Sequence, residues 1–119
     1  MRDDSKYIER IIKYCDQIQH DRERFGNDKE SYYEDSSYQR STDMSLQQIG
    51  ETVNKLSADV LAEYDGLEWD AVIGFRNIVV HRYEWIDRER IWMIMCDDVP
   101  KLREYCLTIS KDISKRKMQ

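Results

Sequence analysis

Chain breakers are scarce in this sequence, with one Pro and four Gly among 119 residues. A fold of many short strands needs turn residues at every reversal, so the scarcity argues against a β fold and for long helices. Cysteine is also sparse. Cys15, Cys96 and Cys106 are odd in number and show no paired metal-binding spacing. They read as small buried hydrophobes of a reducing cytoplasm, not as a disulfide framework. Only two His are present, His20 and His81, and scattered carboxylates around a lone His do not build a zinc site. No apolar run approaches the roughly 18 residues of a membrane span. The opening "MRDDSKYIER" is charged and lacks the apolar centre of a secretory signal. Excess positive charge is missing as well: the net charge is −5, which is not the overall footprint of a nucleic-acid binder. The expectation is a cytoplasmic protein with no membrane partner, no DNA partner, no metal and no cofactor.

What is present is polar and helical. Hydrophobic residues make up 40% of the chain and charged residues 36%, a balance that suits one small domain, residues 1–119, with wide solvated faces. Tyr7, Ile8, Ile11, Ile12, Cys15 and Ile18 fall on one face of a helix over about 3–24, with Asp3, Asp4 and Ser5 offering N-cap chemistry. "FGND" at 25–28 breaks it, and the Tyr-rich stretch that follows predicts a weak helix over 28–36. Tyr32, Tyr33 and Tyr38 suit packing at helix junctions, or stacking on bases. Leu46, Ile49, Val53, Leu56 and Val60 recur at spacings of 3, 4, 3 and 4 and predict one continuous helix with a narrow apolar stripe. It ends at "EYDG", with Gly66 as its C-cap. Gly50 lies inside that helix at a cost of roughly 1 kcal/mol relative to Ala, which suggests close approach of a second helix. A further helix runs from Trp69 to about Val80. Asp87 suits the N-cap of the next, and Pro100 suits the first turn of the last. The basic residues Lys111, Lys115, Arg116 and Lys117 read as a solvated end that complements the negative C-terminal pole of that helix. The architecture expected is an antiparallel bundle of four or five helices.

The stretch "RNIVVHRY" at 76–83 departs from this plain pattern. Trp69, Val72, Ile73, Arg76 and Val80 carry the spacing of a buried stripe, yet one member is a guanidinium. Phe75, Ile78 and Val79 make the other sides apolar too. A charge on such a helix is costly unless it is paired or faces a wet cleft. Arg76 either pairs with a carboxylate such as Glu51 or Asp70, or faces a cleft that takes an anion. His81 lies five residues on, about 140° round an ideal helix, so the two side chains converge only if the helix ends near His81.

Arg76–x4–His81–x–Tyr83 resembles the signature of the HEPN superfamily, in its HepT-like branch. The resemblance extends to "LQQIGETVNKLS" at 46–57, "WDAVIGFRNIVVHRY" at 69–83 and "IDRERIWMIMCDDVPKLREYC" at 86–106, in family order and over about half the chain. The region 25–43 resembles the family least. The resemblance implies an all-α four- to five-helix HEPN bundle that dimerises through its motif-bearing helices, with two motifs lining one cleft. It further implies a metal-independent endoribonuclease, the toxin of a type VII-like toxin–antitoxin system. Arg76 and His81 are then the catalytic residues, Asn77 supports them, and Tyr83 is the residue that a cognate minimal nucleotidyltransferase antitoxin modifies with AMP. The partners so implied are RNA, a second copy of the chain and the nucleotidyltransferase.

In chemical terms, His81 has an ordinary pKa near about 6.5 and can move a proton near neutral pH. Arg76 can clamp a phosphate with two parallel hydrogen bonds. A competing reading makes the domain a non-catalytic helical partner or substrate-binding subunit of a nucleotidyltransferase, and the acidic net charge favours it.

Overall fold

The computed structural model describes residues 4–80 and 86–118. Four long helices dominate it: α1 (Ser5–Phe25), α3 (Ser36–Val53), α5 (Trp69–Val80) and α7 (Val99–Lys117). Three short helices join them, α2 (Lys29–Glu34), α4 (Ala58–Glu63) and α6 (Arg88–Met93). A π-helical turn, Ile94–Asp98, links α6 to α7. No strand occurs among the described residues, and none of their helices is long and apolar enough to cross a membrane. Among the described residues the bundle is all-α; its four long helices are in line with the four or five expected, and short helical segments connect them.

The long helices pack in the order α7, α1, α3, α5, each against the next. The principal extents are 50 × 27 × 19 Å. The shortest is about two helix diameters, so every long helix keeps a face toward solvent. Along α1 and α3 the core follows the stripes read from the sequence, and α7 adds a third. Ile8, Ile11, Cys15 and Ile18 come from α1, Leu46, Ile49 and Val53 from α3, and Leu102, Cys106 and Ile109 from α7, all at most 1% exposed. Burial pushes the thiols of Cys15 and Cys106 well above their usual range, the latter to about 12. They behave as apolar side chains.

Local chemistry sets the helix ends. α1 ends at Gly26, whose φ of +129° lies where a side chain is strained. Asp28 then caps α2: its carboxylate accepts from the Ser31 amide at 3.0 Å and the Ser31 hydroxyl at 2.7 Å. Those bonds hold the Asp28 carboxyl below its usual range. Asp35 starts α3 by accepting from the amides of Ser37 and Tyr38. That start is ten residues before Leu46, inside the polar stretch that the sequence leaves as loop or weak helix. The carboxylate of Asp4 does not cap its own helix. It accepts instead from the Ser57 amide at 3.0 Å, tying the start of α1 to the turn after α3.

That turn corrects the expected continuous helix over Leu46–Val60. α3 stops at Val53, where the amides of Lys55 and Leu56 donate three residues back to Thr52 and Val53, the tightened geometry of a last turn. Ser57 then caps α4. Leu56 is still buried at 6% exposure, but from the turn, and α4 buries no residue. Gly66 is not the cap, because α4 ends at Tyr64. The Gly66 amide instead donates to the Tyr105 hydroxyl at 2.9 Å. Pro100 does fall in the first turn of α7. It has no N–H to donate to the turn before it, and the π-helical turn lies immediately upstream. The basic residues near the C-terminus belong to α7 itself, where Arg116 pairs with Glu63 and Asp112.

Candidate functional site

α5 carries the site, and its register differs from the stripe expected. Among its described side chains, those it buries are Trp69, Val72, Phe75 and Val79, at 3–6% exposure. Arg76 therefore flanks the buried stripe and is half-buried, while Asn77, one residue on, is exposed. A helix apolar on most sides does not announce its inner face, so the expected register through Ile73 and Arg76 fitted the sequence equally well.

Gly50 explains how Arg76 is held. A Cβ added at Gly50 would stand 2.9 Å from the Ile73 carbonyl oxygen and 3.0 Å from both the amide nitrogen and the Cβ of Arg76. α3 thus touches the backbone of α5 at Arg76, the close approach that a mid-helix Gly implies. The alternative pairing of Arg76 with Glu51 or Asp70 is not observed. Among the described residues the ion pairs involve Arg88, Arg103 and Arg116, and none involves Arg76. Its guanidinium has no described counter-ion, though it is half-buried.

Beyond Arg76, the outer face of α5 opens on a recess of about 490 Å³ shared with α6. Gly74, Asn77 and Ile78 line it from α5, Arg90 and Met93 from α6. Met93 is 56% exposed. A Cβ at Gly74 would meet nothing within 4 Å. This face has apolar walls, with the amide of Asn77, the guanidinium of Arg90 and the carboxylate of Asp98 among its lining groups. His81 and Tyr83, the other two site residues read from the sequence, lie outside the described residues. Among the described residues no three His, Cys, Asp or Glu side chains gather closely enough for a metal ion.

Three tyrosines were open to two readings. Tyr32 and Tyr38 are fully buried and cannot stack on bases; Tyr33 is 38% exposed. Tyr38 stacks on Phe25 with centroids 5.2 Å apart, and Tyr32 meets Tyr38 edge-on at 5.1 Å. The Tyr38 hydroxyl donates to the Gly26 carbonyl at 3.0 Å. Burial raises both phenols to about 12.

Beside them lies a polar group that the sequence reading missed. Arg88 donates from Nη1 to Asp43 Oδ1 at 2.7 Å and from Nη2 to Oδ2 at 2.9 Å. Nη1 also donates to the Tyr32 hydroxyl at 2.9 Å. Nothing in spacing joins residues 43 and 88, since they meet only when α6 folds back on α3. The available signal was Asp43 standing three residues before Leu46, on the inner side of its helix.

An all-α bundle whose apolar fifth helix carries Arg76 and Asn77 and touches a Gly of the neighbouring helix is consistent with a HEPN-type domain. The chain belongs to the family described as Ribonuclease HepT-like, whose model matches residues 5–109. Among curated relatives, "Putative RNase MJ1380" of Methanocaldococcus jannaschii is 33% identical over 50% of this chain and 55% of its own length. "Gamma-glutamylcyclotransferase and putative RNase MJ0434" of the same organism is 26% identical over 98% of this chain and 52% of its own. "Putative RNase MJ0127", also from that organism, is 32% identical over 75% of each chain. This chain spans about half the length of the first two. No solved structure matches it.

Proposed function

We propose that this chain is a metal-independent endoribonuclease, the toxin of a HEPN–nucleotidyltransferase pair, acting as a two-fold dimer. The observation that carries the reading is Arg76. It is half-buried, anchored by the backbone contact with Gly50 and without a counter-ion among the described residues. An unpaired, half-buried guanidinium on a backbone placed in that way is suited to an arriving phosphate. Membership of a ribonuclease family supplies the class of reaction.

In this reading His81 takes the proton from an RNA 2′-hydroxyl, and the freed oxygen attacks the adjacent phosphorus. Arg76 stabilises the extra negative charge on the phosphoryl oxygens. The bond to the 5′-oxygen breaks, and that oxygen takes a proton from the His81 of a second copy. The products are a 2′,3′-cyclic phosphate and a 5′-hydroxyl. Asn77 supports the pair from the adjoining face. Tyr83 accepts AMP from the cognate nucleotidyltransferase, which adds negative charge at the cleft and repels RNA.

The deciding experiment is RNA cleavage by wild type, Arg76→Ala and His81→Ala, with products mapped by their ends. Loss of the proton shuttle or of the charge clamp should each cost about 10²–10⁴-fold. A substrate with 2′-deoxyribose at the scissile position should resist, and EDTA should leave the rate unchanged. Full cleavage by folded His81→Ala protein overturns the enzyme reading. The net charge of −5 favours the second reading in that event: a non-catalytic helical partner or substrate-binding subunit of a nucleotidyltransferase, which needs no positive surface for long RNA.

A further inference from the structure

The outer face of α1 carries a line of cations, in a chain whose net charge is −5. Lys6, Arg10, Lys13, Gln17, His20 and Arg24 recur at spacings of 4, 3, 4, 3 and 4, and all of them are exposed. On an ideal helix they fall within about 80° of arc, and the line they make is about 27 Å long. It points away from the rest of the protein. α1 packs on α3 and α7 with Ile8, Ile11, Cys15 and Ile18, which lie on the opposite side of the helix.

No acidic residue stands in that arc. The carboxylates of α1 lie beside it, and three of the four are engaged. Asp16 accepts from Arg103 Nε of α7 at 2.5 Å. Asp21 is buried, and accepts from the Gln17 amide at 3.1 Å and from the Ser41 hydroxyl of α3. Glu23 accepts from the Gln19 amide at 3.3 Å. Exposed Glu9 alone flanks the line without such a bond. The cations in turn lack counter-ions: among the described residues no ion pair involves Lys6, Arg10, Lys13 or Arg24. Lys6 Nζ and Arg10 Cζ stand 5.1 and 5.7 Å from the centre of the Tyr7 ring, and Arg24 Cζ stands 5.1 Å from that of Phe25. A ring face attracts a cation at that range without neutralising it. These side chains are therefore steadied while their charge stays available.

We infer that this face of α1 is a binding surface for the phosphate backbone of a single RNA strand, separate from the face that carries Arg76. The inference rests on the ribonuclease reading for the identity of the polyanion. Charge complementarity carries it. A straight row of unpaired cations suits a chain whose negative charge repeats. The row holds no apolar residue, whereas a protein partner needs an apolar centre to its interface. The remaining surface is negative on balance, so it repels a polyanion elsewhere and leaves this face as the route of approach. α3 stands between α1 and α5 in the packing order, so the row acts on how RNA is held and not on the reacting phosphate. Contacts to phosphate carry no base information, and binding here should be indifferent to sequence.

The test measures the salt dependence of RNA binding. The probe is a short oligouridylate with 2′-O-methyl riboses, which binds without being cleaved, followed by fluorescence anisotropy. Lys6→Gln, Arg10→Gln and Lys13→Gln are combined in one variant. Its plot of log Kd against log salt should be shallower than that of wild type by about 2, since each lost contact to a single strand removes about 0.7 from the slope. The control combines Lys101→Gln, Lys111→Gln and Lys115→Gln, which remove the same charge from exposed positions on α7 and should leave the slope unchanged. An unaltered slope in the α1 variant, or an equal change in both variants, overturns the inference. Polyglutamate, standing for an acidic protein partner, should compete poorly with the probe; competition as strong as that of unlabelled RNA also overturns it. If the triple variant does not fold, Lys13→Gln with Arg24→Gln decides, with a slope shallower by about 1.4. In cleavage assays the α1 variant should raise KM and keep kcat within about two-fold. RNA held by this face but not cleaved by wild type overturns the ribonuclease reading alone. RNA cleaved by wild type, with the slope unaltered in the variant, overturns the binding surface alone.

Discussion

Gly50 of α3 lies directly on the backbone of Arg76 in α5: a Cβ at position 50 would stand 3.0 Å from the Arg76 amide nitrogen. Two helices can come that close only where one has no side chain. The contact places a motif residue by main-chain packing, not through a side-chain bond.

Gly50→Ala should therefore lower stability although Ala is the better helix former. The propensity gain is about 1 kcal/mol, while the new methyl is forced onto the Ile73 carbonyl at 2.9 Å. Overpacking typically costs about 1–3 kcal/mol. Gly50→Val should be worse. Thermal melts by circular dichroism rank the three proteins, and a melting temperature for Gly50→Ala above wild type contradicts the close contact.

Arg76→Ala should leave the fold nearly as stable as wild type, within about 0.5 kcal/mol, because no described residue pairs with its guanidinium. A large drop in denaturation midpoint returns Arg76 to a structural role. Combined with His81→Ala, it should reduce cleavage little further than either change alone, since both groups act in one transition state.

The outer face of α5 should carry the dimer. Gly74→Glu places a charge where a Cβ meets nothing within 4 Å, so the monomer should fold normally and gain helix propensity. Light scattering should then show the wild type as a dimer and the variant as a monomer. A wild-type protein that is monomeric at micromolar concentration, or a variant that remains dimeric, removes this face as the interface.

Alkaline pH should unfold the bundle early. Tyr32, Tyr38 and Tyr64 each have a phenol pushed up to about 12, chiefly by burial. The folded state thus holds protons that the unfolded chain releases near about 10. The stability so gained is complete below that pH and falls as pH rises toward about 12. A titration at 295 nm should show these phenolates appearing late and together with loss of helicity. Tyr32→Phe should remove one late-titrating group; a phenolate at Tyr32 that forms near pH 10 with the fold intact contradicts this.

Tyr83 should accept AMP. Wild type incubated with the cognate nucleotidyltransferase and ATP should gain the mass of one or more AMP groups and lose cleavage activity, while Tyr83→Phe should gain none. An unchanged wild-type mass, with the transferase active on its own ATP, rules the modification out.

Much of the architecture was legible in the order of residues. The stripe of α1, the Asp87 cap, the Pro100 turn, the Gly26 break and the close approach at Gly50 are all consequences of local chemistry and periodicity. So was the oddity of Arg76, because a guanidinium on an apolar helix contradicts its surroundings wherever that helix packs. The break in the Leu46–Val60 stripe was not legible. Leu56 is buried whether it belongs to a helix or to the turn after one, so the spacing looks the same. The first half of α3 was hidden because its inward positions include Thr42, Asp43 and Ser45, which carry no hydrophobic signal.

By itself the sequence determined the helical class and the family, for these depend on short-range spacing and on residue type. Tertiary structure alone decided the register of α5, in which Phe75 turns inward and Arg76 stands on the flank. It also decided the partnership of Asp43 with Arg88. A helix apolar on most sides has no preferred inner face until a neighbour covers one, and two charges 45 residues apart in sequence become a pair only when packing brings their helices together.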